Sequence, residues 1–543
     1  MDAVTVATPR EDPIAGLGAV HTRSWVVTMM LDLAGYVDDE DLGSGTAVEP
    51  AVGFGAFLVP MIERLIASCR RHGRPISTTG SAIVAYDLDP RAVEESRRRA
   101  SVLLRAHGLS AALTRRLVTG WVRHGDFLLE APALSQIRWV IGNPPYVRVE
   151  DVGRERLLSY RALWSTMRGR ADVYVGFLQA GLEVLADDAT MTTICADRWM
   201  RNQYGATLRS VISQRYAVDA CISMYGSAAF ETPVAVYPAI TVMRNGTQRR
   251  TLLFDREAPL DQDHGATLLH AWRQGPADTP AARAAHAQWT RGWHAGPAGW
   301  PTRRSARVTA AERRLPTLAE AGVHVSMGPA TGADTIYVTH DTAGIETERL
   351  IPAIGAQEVR RGELEWIGRH LINPWDDDGL VDLGQYPGLK RYVERHRPRL
   401  LERHTARAHP DQWWRTIDRV RPQMAATPKL LIPDIKERIF PVLDNGQFLP
   451  MHNLYYVVAP TWDLRVLGGI LMSDIATQFV STYSVRMASG YFRVSAQYLR
   501  RVRIPAYPTI PPALRRQLRT AFDARDLPAA NDAANRAYDL RTA

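Results

Sequence analysis

From Thr22 to about Arg244 the hydrophobic and polar positions follow two alternating rhythms. Short runs of β-branched and aliphatic residues are separated by longer stretches in which apolar residues recur every third or fourth position. The short runs predict strands at Thr46–Glu49, Ala82–Tyr86, Gln136–Ile141, Met191–Cys195, Val218–Ser223 and Val236–Met243, with a further strand-like run ahead of His124. The longer stretches predict amphipathic helices at Ala56–Arg70, Arg91–Ala106 and Val173–Leu185. Such alternation builds an α/β fold with a mostly parallel, doubly wound, Rossmann-like sheet, and sheets of this kind bind ligands at the carboxyl ends of their strands.

Past residue 250 the rhythm stops. Ala258–Pro301 is rich in Ala, Gly, Pro, His and Trp with weak periodicity, so 251–305 reads as a linker or irregular excursion behind a first domain over 1–250. Residues 306–510 mix strand-like runs (Val323–Met327, Lys429–Ile432, Leu454–Val458) with helical ones and lack the βαβ repeat, which predicts a separate mixed α+β domain. Leu514–Leu540 reads as a terminal helix or helix pair within a closing segment, 511–543.

Composition narrows the class. With 46% hydrophobic and 23% charged residues over 543 positions, the chain has the makeup of an ordinary globular protein, which excludes wholesale disorder. Cys69, Cys195 and Cys221 are too few and too scattered for a disulfide framework or a cysteine-based zinc site, and no metal is expected. The start, MDAVTVATPREDP, lacks the layout of a signal peptide, and the best apolar run, Val466–Val480, is broken by Asp474. The chain therefore reads as cytoplasmic, with no membrane partner. Its net charge of +9 is uneven: 28 basic against 26 acidic residues up to position 250, then 38 against 31, giving +2 and +7. A basic second half suits a polyanionic partner. Lys390 to Arg421 concentrates ten basic and four acidic residues with Tyr392, Trp413 and Trp414, a composition suited to contacting phosphates.

Four sites carry chemistry. In Glu49-Pro50-Ala51-Val-Gly53-Phe-Gly55 an acidic residue ends a strand and two glycines let the backbone pass close to a ligand before a helix begins. Asp87-Leu88 ends the next strand, where a carboxylate can accept hydrogen bonds from ribose hydroxyls, whereas Asp89-Pro90 reads as a helix start. Asp126-Phe127 offers an acceptor for an adenine amino group beside an aromatic ring. Finally, the strand ending at Ile141 runs into Asn143-Pro144-Pro145-Tyr146. Two prolines stiffen this loop, Asn143 adds a side-chain acceptor and Tyr146 a flat face, a set suited to a planar group bearing an NH2.

With these residues placed, Thr22 to about Arg244 resembles the N6-adenine DNA methyltransferases of the Taq-like gamma class. The resemblance implies that Glu49 to Gly55 line S-adenosylmethionine, that Asp87 binds its ribose, that Asp126-Phe127 bind its adenine, and that Asn143 to Tyr146 form the catalytic tetrapeptide, with Asn143 also touching the cofactor. Thr22 stands where the family has a Thr-Pro pair touching the cofactor's methionine moiety, here without the proline. Phe230 matches a second aromatic packed on the flipped base; Asp172-Val-Tyr174-Val-Gly-Phe177 resembles the helix closing the cofactor pocket, and Ala196-Asp197-Arg198-Trp199 the segment after the next strand. Gly328–Asp334, Pro433–Lys436, Tyr491–Arg493 and Tyr498–Pro505 resemble the target-recognition halves of stand-alone restriction-modification methylases, most of all the Xho-type enzymes that modify adenine in CTCGAG. The implied partners are double-stranded DNA and, functionally, a cognate restriction endonuclease. Asn-Pro-Pro-Tyr also serves methyltransferases acting on ribosomal RNA bases or protein glutamine, so those substrates stay open here, as does a non-catalytic DNA-binding module on the same fold.

Overall fold

The computed structural model describes residues 20–169, 171–232, 237–254, 259–277, 279–300, 306–360, 362–484 and 492–539. The chain divides into two units, Met1–Thr302 and Arg303–Ala543. Of the positions singled out above, MDAVTVATPREDP, Val236, Ala258, Pro301, Tyr491 and Leu540 lie outside the described residues. Among the described residues no helix is long and apolar enough to cross a membrane.

Among the described residues the first unit is built on nine strands: β1 (Ala47–Glu49), β2 (Ile83–Asp87), β3 (Val122–His124), β4 (Ile137–Gly142), β5 (Leu185–Ala196), β6 (Ala217–Ser223), β7 (Pro238–Arg244), β8 (Arg250–Phe254) and β9 (Gln288–Arg291). They lie side by side in the order β3-β2-β1-β4-β5-β7-β6-β8-β9. The first five are mutually parallel, and β7 runs antiparallel between β5 and β6. The helices are α1 (Ser24–Leu33), α2 (Leu58–Arg71), α3 (Pro90–Ala106), α4 (Ala111–Trp121), α5 (Phe127–Glu130), α6 (Arg154–Leu163), α7 (Tyr174–Glu183), α8 (Ala206–Arg215), α9 (Gln262–Arg273) and α10 (Pro280–Ala284).

Alternation along the strands sends side chains into two cores. Ile83, Ala85, Trp139 and Ile141 pack with α1 to α4 on one face. Val84, Tyr86 and Val140 pack with α5, α7 and α8 on the other. Burial on both faces is why the parallel strands read as nearly continuous apolar runs. The strand order reverses between β1 and β4, and in doubly wound sheets the ligand crevice opens at that point.

The expected linker at 251–305 is corrected by the structure. β8 and β9 extend the sheet beyond β6, and α9 packs against α1, so the first unit runs to Thr302 rather than to 250. These strands escape a periodicity reading because they are only five and four residues long, and β9 is a half-exposed edge strand. What ties the excursion down is aromatic: Trp272 of α9 stacks on Trp289 of β9 at 5.8 Å, and buried Trp300 meets Trp199 edge-on.

The second unit has the expected mixed character. One antiparallel sheet places His324–Met327, Leu454–Val458, Lys429–Pro433 and Val442–Asp444 in that order. A second joins Val338–Thr339, His370–Ile372, Leu350–Ile354 and Leu449–Pro450. The run Val466–Val480 forms two helices, Leu464–Leu471 and Asp474–Tyr483, with Asp474 at the start of the second. The terminal helices Pro512–Asp523 and Leu527–Tyr538 are not a free-standing segment: Leu514, Leu518, Phe522, Ala530 and Tyr538 complete this unit's largest core.

Inside the first sheet of this unit Lys429 faces Asp444 across the ladder, and neither side chain is exposed. The ammonium lies 2.7 Å from the carboxylate and donates to the carbonyls of Met424, Ala425 and Thr427. Asp444 accepts from the backbone N–H groups of Gly446, Gln447 and Phe448. The pair thus pins two neighbouring turns at one end of the ladder, the turn entering Lys429–Pro433 and the turn leaving Val442–Asp444.

The basic stretch 390–421 turns out differently from its reading as a phosphate-binding surface with aromatics. Trp413 is buried, the Trp414 indole nitrogen is buried, and the Tyr392 hydroxyl donates to the Ile336 carbonyl. These rings are the unit's own core, over which Arg397 and Arg403 lie as cation–π partners of Trp413 and Tyr337. Lys390, Arg391, Arg395, Arg407 and Arg421 are exposed.

Candidate functional site

At the carboxyl ends of β1 to β4 lies a cavity of about 410 Å³. Its walls include Thr22, Glu49, Pro50, Ala51, Gly53, Asp87, Leu88, Asp126, Phe127, Asn143 and Pro145. Four stretches separated by dozens of residues in sequence therefore meet in one place. Gly55 falls in an adjoining groove with Thr22 and Phe54, while Pro144, Tyr146 and Phe230 stand beside the cavity rather than in its wall.

The glycine loop is shaped by its neighbours. Gly53 and Gly55 adopt φ of +52° and +85°, a left-handed backbone that a side chain would strain. The Gly53 N–H donates to Asp87 Oδ2 at 2.8 Å, and Ser96 donates to the Gly53 carbonyl at 2.7 Å. Asp87 Oδ1 accepts from the Asp89 N–H. Asp87 thus fixes the loop as well as lining the cavity, and a carboxylate with two such bonds retains acceptor capacity. Asp89 caps α3 through the Arg91 N–H, with Pro90 in the first turn, as the helix-start reading expects; it also edges the cavity.

Asp126 caps α5 through Leu128, receives the Tyr160 hydroxyl at 2.7 Å and lies 3.4 Å from Arg156. Burial raises its carboxyl, and the Tyr160 bond and Arg156 oppose that. Phe127 packs against Phe177 with ring centroids 5.5 Å apart, so Phe177, named from the α7 segment without an assigned role, is a wall of the cavity. Tyr160 and Arg156 had no sequence signal, because they act from α6, about 30 positions from Asp126.

Asn143 is held by its nitrogen. Nδ2 donates to the Val20 carbonyl at 3.1 Å and to Thr22 Oγ1 at 3.3 Å. Oδ1 is buried and has no partner among the described residues. The segment supplying those acceptors is itself zipped to the far strand connection: Thr22 bridges Phe230, the Arg23 N–H donates to the Ala229 carbonyl, and Glu231 donates to the His21 carbonyl. Phe230 meets Tyr146 edge-on at 6.3 Å, and Tyr146 also packs toward Tyr174. Residues 20–23 and 229–231 are some 200 positions apart, so only the fold brings them to the Asn143 loop.

Electrostatically the cavity is acidic. Glu49 is 1% exposed, and neither of its oxygens has a partner among the described residues. Burial, and secondarily the charge of Asp87, push its carboxyl well above the usual carboxylate range. Burial raises Asp87 too, against its two backbone hydrogen bonds. A free amide oxygen, aromatic walls and clustered carboxylates suit a flat, amine-bearing ligand with positive charge.

Comparison with known proteins follows this geometry. A family described as Eco57I restriction-modification methylase matches residues 133–230, the span from the approach to β4 through Phe230. The chain is 40% identical over 545 residues to the type II methyltransferase M.PaeR7I of Pseudomonas aeruginosa, covering 99% of this chain and 94% of that protein. It is 38% identical over 543 residues to the type II methyltransferase M.XhoI of Xanthomonas vasicola, covering 97% and 98%. Among solved structures its fold resembles the type IIL restriction-modification enzyme MmeI in complex with DNA, with a TM-score of 0.58 at 13% identity over 96% of this chain and 74% of that one.

Proposed function

The chain belongs to the type II methyltransferases of restriction-modification systems, and from that premise we propose that it methylates N6 of an adenine flipped out of duplex DNA, using S-adenosylmethionine. The observation that carries this reading is the orphaned Oδ1 of Asn143, a fixed acceptor with no partner among the described residues, in the lining of an acidic, aromatic-walled cavity.

An adenine exocyclic amine is a poor nucleophile because its lone pair is delocalised into the ring. Accepting its two N–H hydrogens at Asn143 Oδ1 and the Pro144 carbonyl localises that lone pair. Pro144 and Pro145 keep the acceptors rigid, so the amine is held in a near-attack position. Thr22, Glu49 to Gly53, Asp87-Leu88 and Asp126-Phe127 are the residues that would hold the cofactor, which supplies an electrophilic methyl group when bound. The donor set fits it: carboxylates for a ribose and a cation, rings for an adenine, and a glycine turn for close approach. A base in a duplex must leave its stack to reach this site. Tyr146 and Phe230 offset part of the lost stacking, about 1–3 kcal/mol per ring by analogy with single-strand platforms.

Modification-sensitive sequencing of DNA from cells expressing the protein tests the whole reading. N6-methyladenine confined to one short sequence is expected, and the resemblance of the second unit to Xho-type enzymes points to CTCGAG. Methylation on cytosine, or on RNA or protein with none on DNA, would overturn it. A second expectation concerns the cofactor alone. Asp87→Ala removes both an acceptor and the clamp on the Gly53 N–H, so calorimetry is expected to show S-adenosylmethionine affinity falling about tenfold or more, the cost of a charge-assisted hydrogen bond. Unchanged affinity would take Asp87 out of the site.

A further inference from the structure

Among the described residues Glu49 is the one cavity carboxylate with no hydrogen bond or ion pair. Asp87 accepts two backbone N–H groups, Asp126 accepts from Leu128 and Tyr160, and Asp89 pairs with Arg91. Glu49 is almost wholly buried, with both oxygens unpartnered among the described residues. An ionised carboxylate in that position, almost sealed from solvent and beside the charge of Asp87 rather than a cation, is disfavoured. Hydrogen bonds from backbone N–H groups favour the ionised form of Asp87. Of the two neighbours, Glu49 is therefore the one that keeps a proton.

Position says what would draw that proton off. β1 and β4 run side by side, pairing Ala47 with Trp139 and Val48 with Val140. A Cβ placed on Gly142 would lie 3.7 Å from Glu49 Cγ. Glu49 thus sits against the residue preceding Asn143, where the methyl donor has to be presented. Around it the cavity's other titratable groups are Asp87 from β2, Asp126 from the end of β3, the Asp89–Arg91 pair from the start of α3, and His21 from the segment preceding α1. From β4 the neighbour is Asn143, which brings no charge. The single guanidinium in this set is already matched by Asp89.

We propose that Glu49 is a proton-coupled charge sensor: it is protonated in the empty cavity and ionises when the cationic sulfonium of S-adenosylmethionine arrives, so that cofactor binding expels a proton. The inference rests on the cofactor assignment above and adds a property of Glu49 to it. Its sign follows from linkage. A ligand that lowers a carboxyl's pKa binds more tightly as pH rises between the bound and free values, by up to about tenfold per pH unit. The same group acts on the cofactor-free protein in the opposite direction. With the folded carboxyl raised above its unfolded value, its contribution to stability is full below the unfolded pKa and is lost as pH rises toward the folded one.

The experiment is isothermal titration of the full-length protein with S-adenosylmethionine and with S-adenosylhomocysteine, in paired buffers of different ionisation enthalpy, from pH 6 to 9. The wild type is expected to release up to about one proton with S-adenosylmethionine, and fewer with S-adenosylhomocysteine, which lacks the sulfonium charge. In Glu49→Gln the release is expected to vanish and the affinity to lose its pH slope. The cofactor-free variant is expected to gain thermal stability over wild type increasingly as pH rises, a readout that needs no ligand. Equal release with the two ligands, or a release retained in Glu49→Gln, would overturn the proposal. A wild type that binds neither ligand would instead overturn the cofactor assignment. Because the wild-type titrations use no substitution, a misfolded variant would not rescue or hide the result.

Discussion

Asn143→Ala is expected to lower turnover on duplex DNA on the order of 10²–10³-fold or more, the scale of losing one preorganised transition-state hydrogen bond. S-adenosylmethionine affinity is expected to stay close to wild type. The asymmetry follows from how the amide is held. Its nitrogen is spent on Val20 and Thr22, so the side chain's open valence is Oδ1, the atom that under the proposed function accepts from the target amine and makes no ribose or adenine contact. Alanine removes the acceptor and leaves Asp87, Asp126 and the Gly53 turn untouched. Asn143→Asp is the informative companion. It retains an acceptor but sets a carboxylate oxygen against the Val20 carbonyl, so its turnover should fall between alanine and wild type. Single-turnover transfer of tritiated methyl to duplex DNA, beside calorimetry, separates the two effects. Undiminished transfer by Asn143→Ala would end the catalytic role. A parallel collapse of cofactor affinity would make Asn143 a wall of the cofactor cavity instead.

Asp444→Ala is expected to destabilise the second unit by about 3–5 kcal/mol, because it strands a buried ammonium. Burial already draws the Lys429 ammonium below its ordinary range, and the Asp444 carboxylate is what opposes the drop. Removing that carboxylate also releases the N–H groups of Gly446, Gln447 and Phe448. Replacing both partners, as Lys429→Met with Asp444→Leu, is expected to recover much of the loss, since no buried charge is then unpaired. Denaturant unfolding of the full chain, followed by the fluorescence of tryptophans such as Trp413 and Trp462, reads the transition of this unit. A single substitution costing less than about 1 kcal/mol, the worth of an exposed pair, would show that the ladder does not depend on this bridge.

The strands around the cavity were legible because they are buried on both faces, so Ile83–Asp87 and Ile137–Gly142 announce themselves without their partners. The strand-end residues Glu49, Asp87, Asp126 and Asn143 were legible for the same reason: once the strands are placed, parallel packing sends their carboxyl ends to one side. What escaped was non-local or marginal. The Val20 carbonyl holding Asn143 lies 123 positions away, and backbone acceptors have no sequence signature. β9 shows no apolar alternation because it is an edge. In the basic stretch, counting arginines among tryptophans could not tell a ring that contacts a partner from one over which the protein's own guanidinium lies, as Arg397 does over Trp413.

The outer strands of the nine-stranded sheet have a bearing on solubility. Open strand margins invite other chains to dock edge to edge and seed fibrils. Here both margins are short: β3 spans three residues and exposes Arg123 and His124, while β9 spans four and exposes Gln288 and Arg291. Neither offers a long apolar ribbon, and a second copy approaching either one would bring arginine against arginine. At the β3 margin α3 adds a further guard, since Arg97 donates to the Val122 carbonyl, so the rims of this wide sheet give another chain little to add onto.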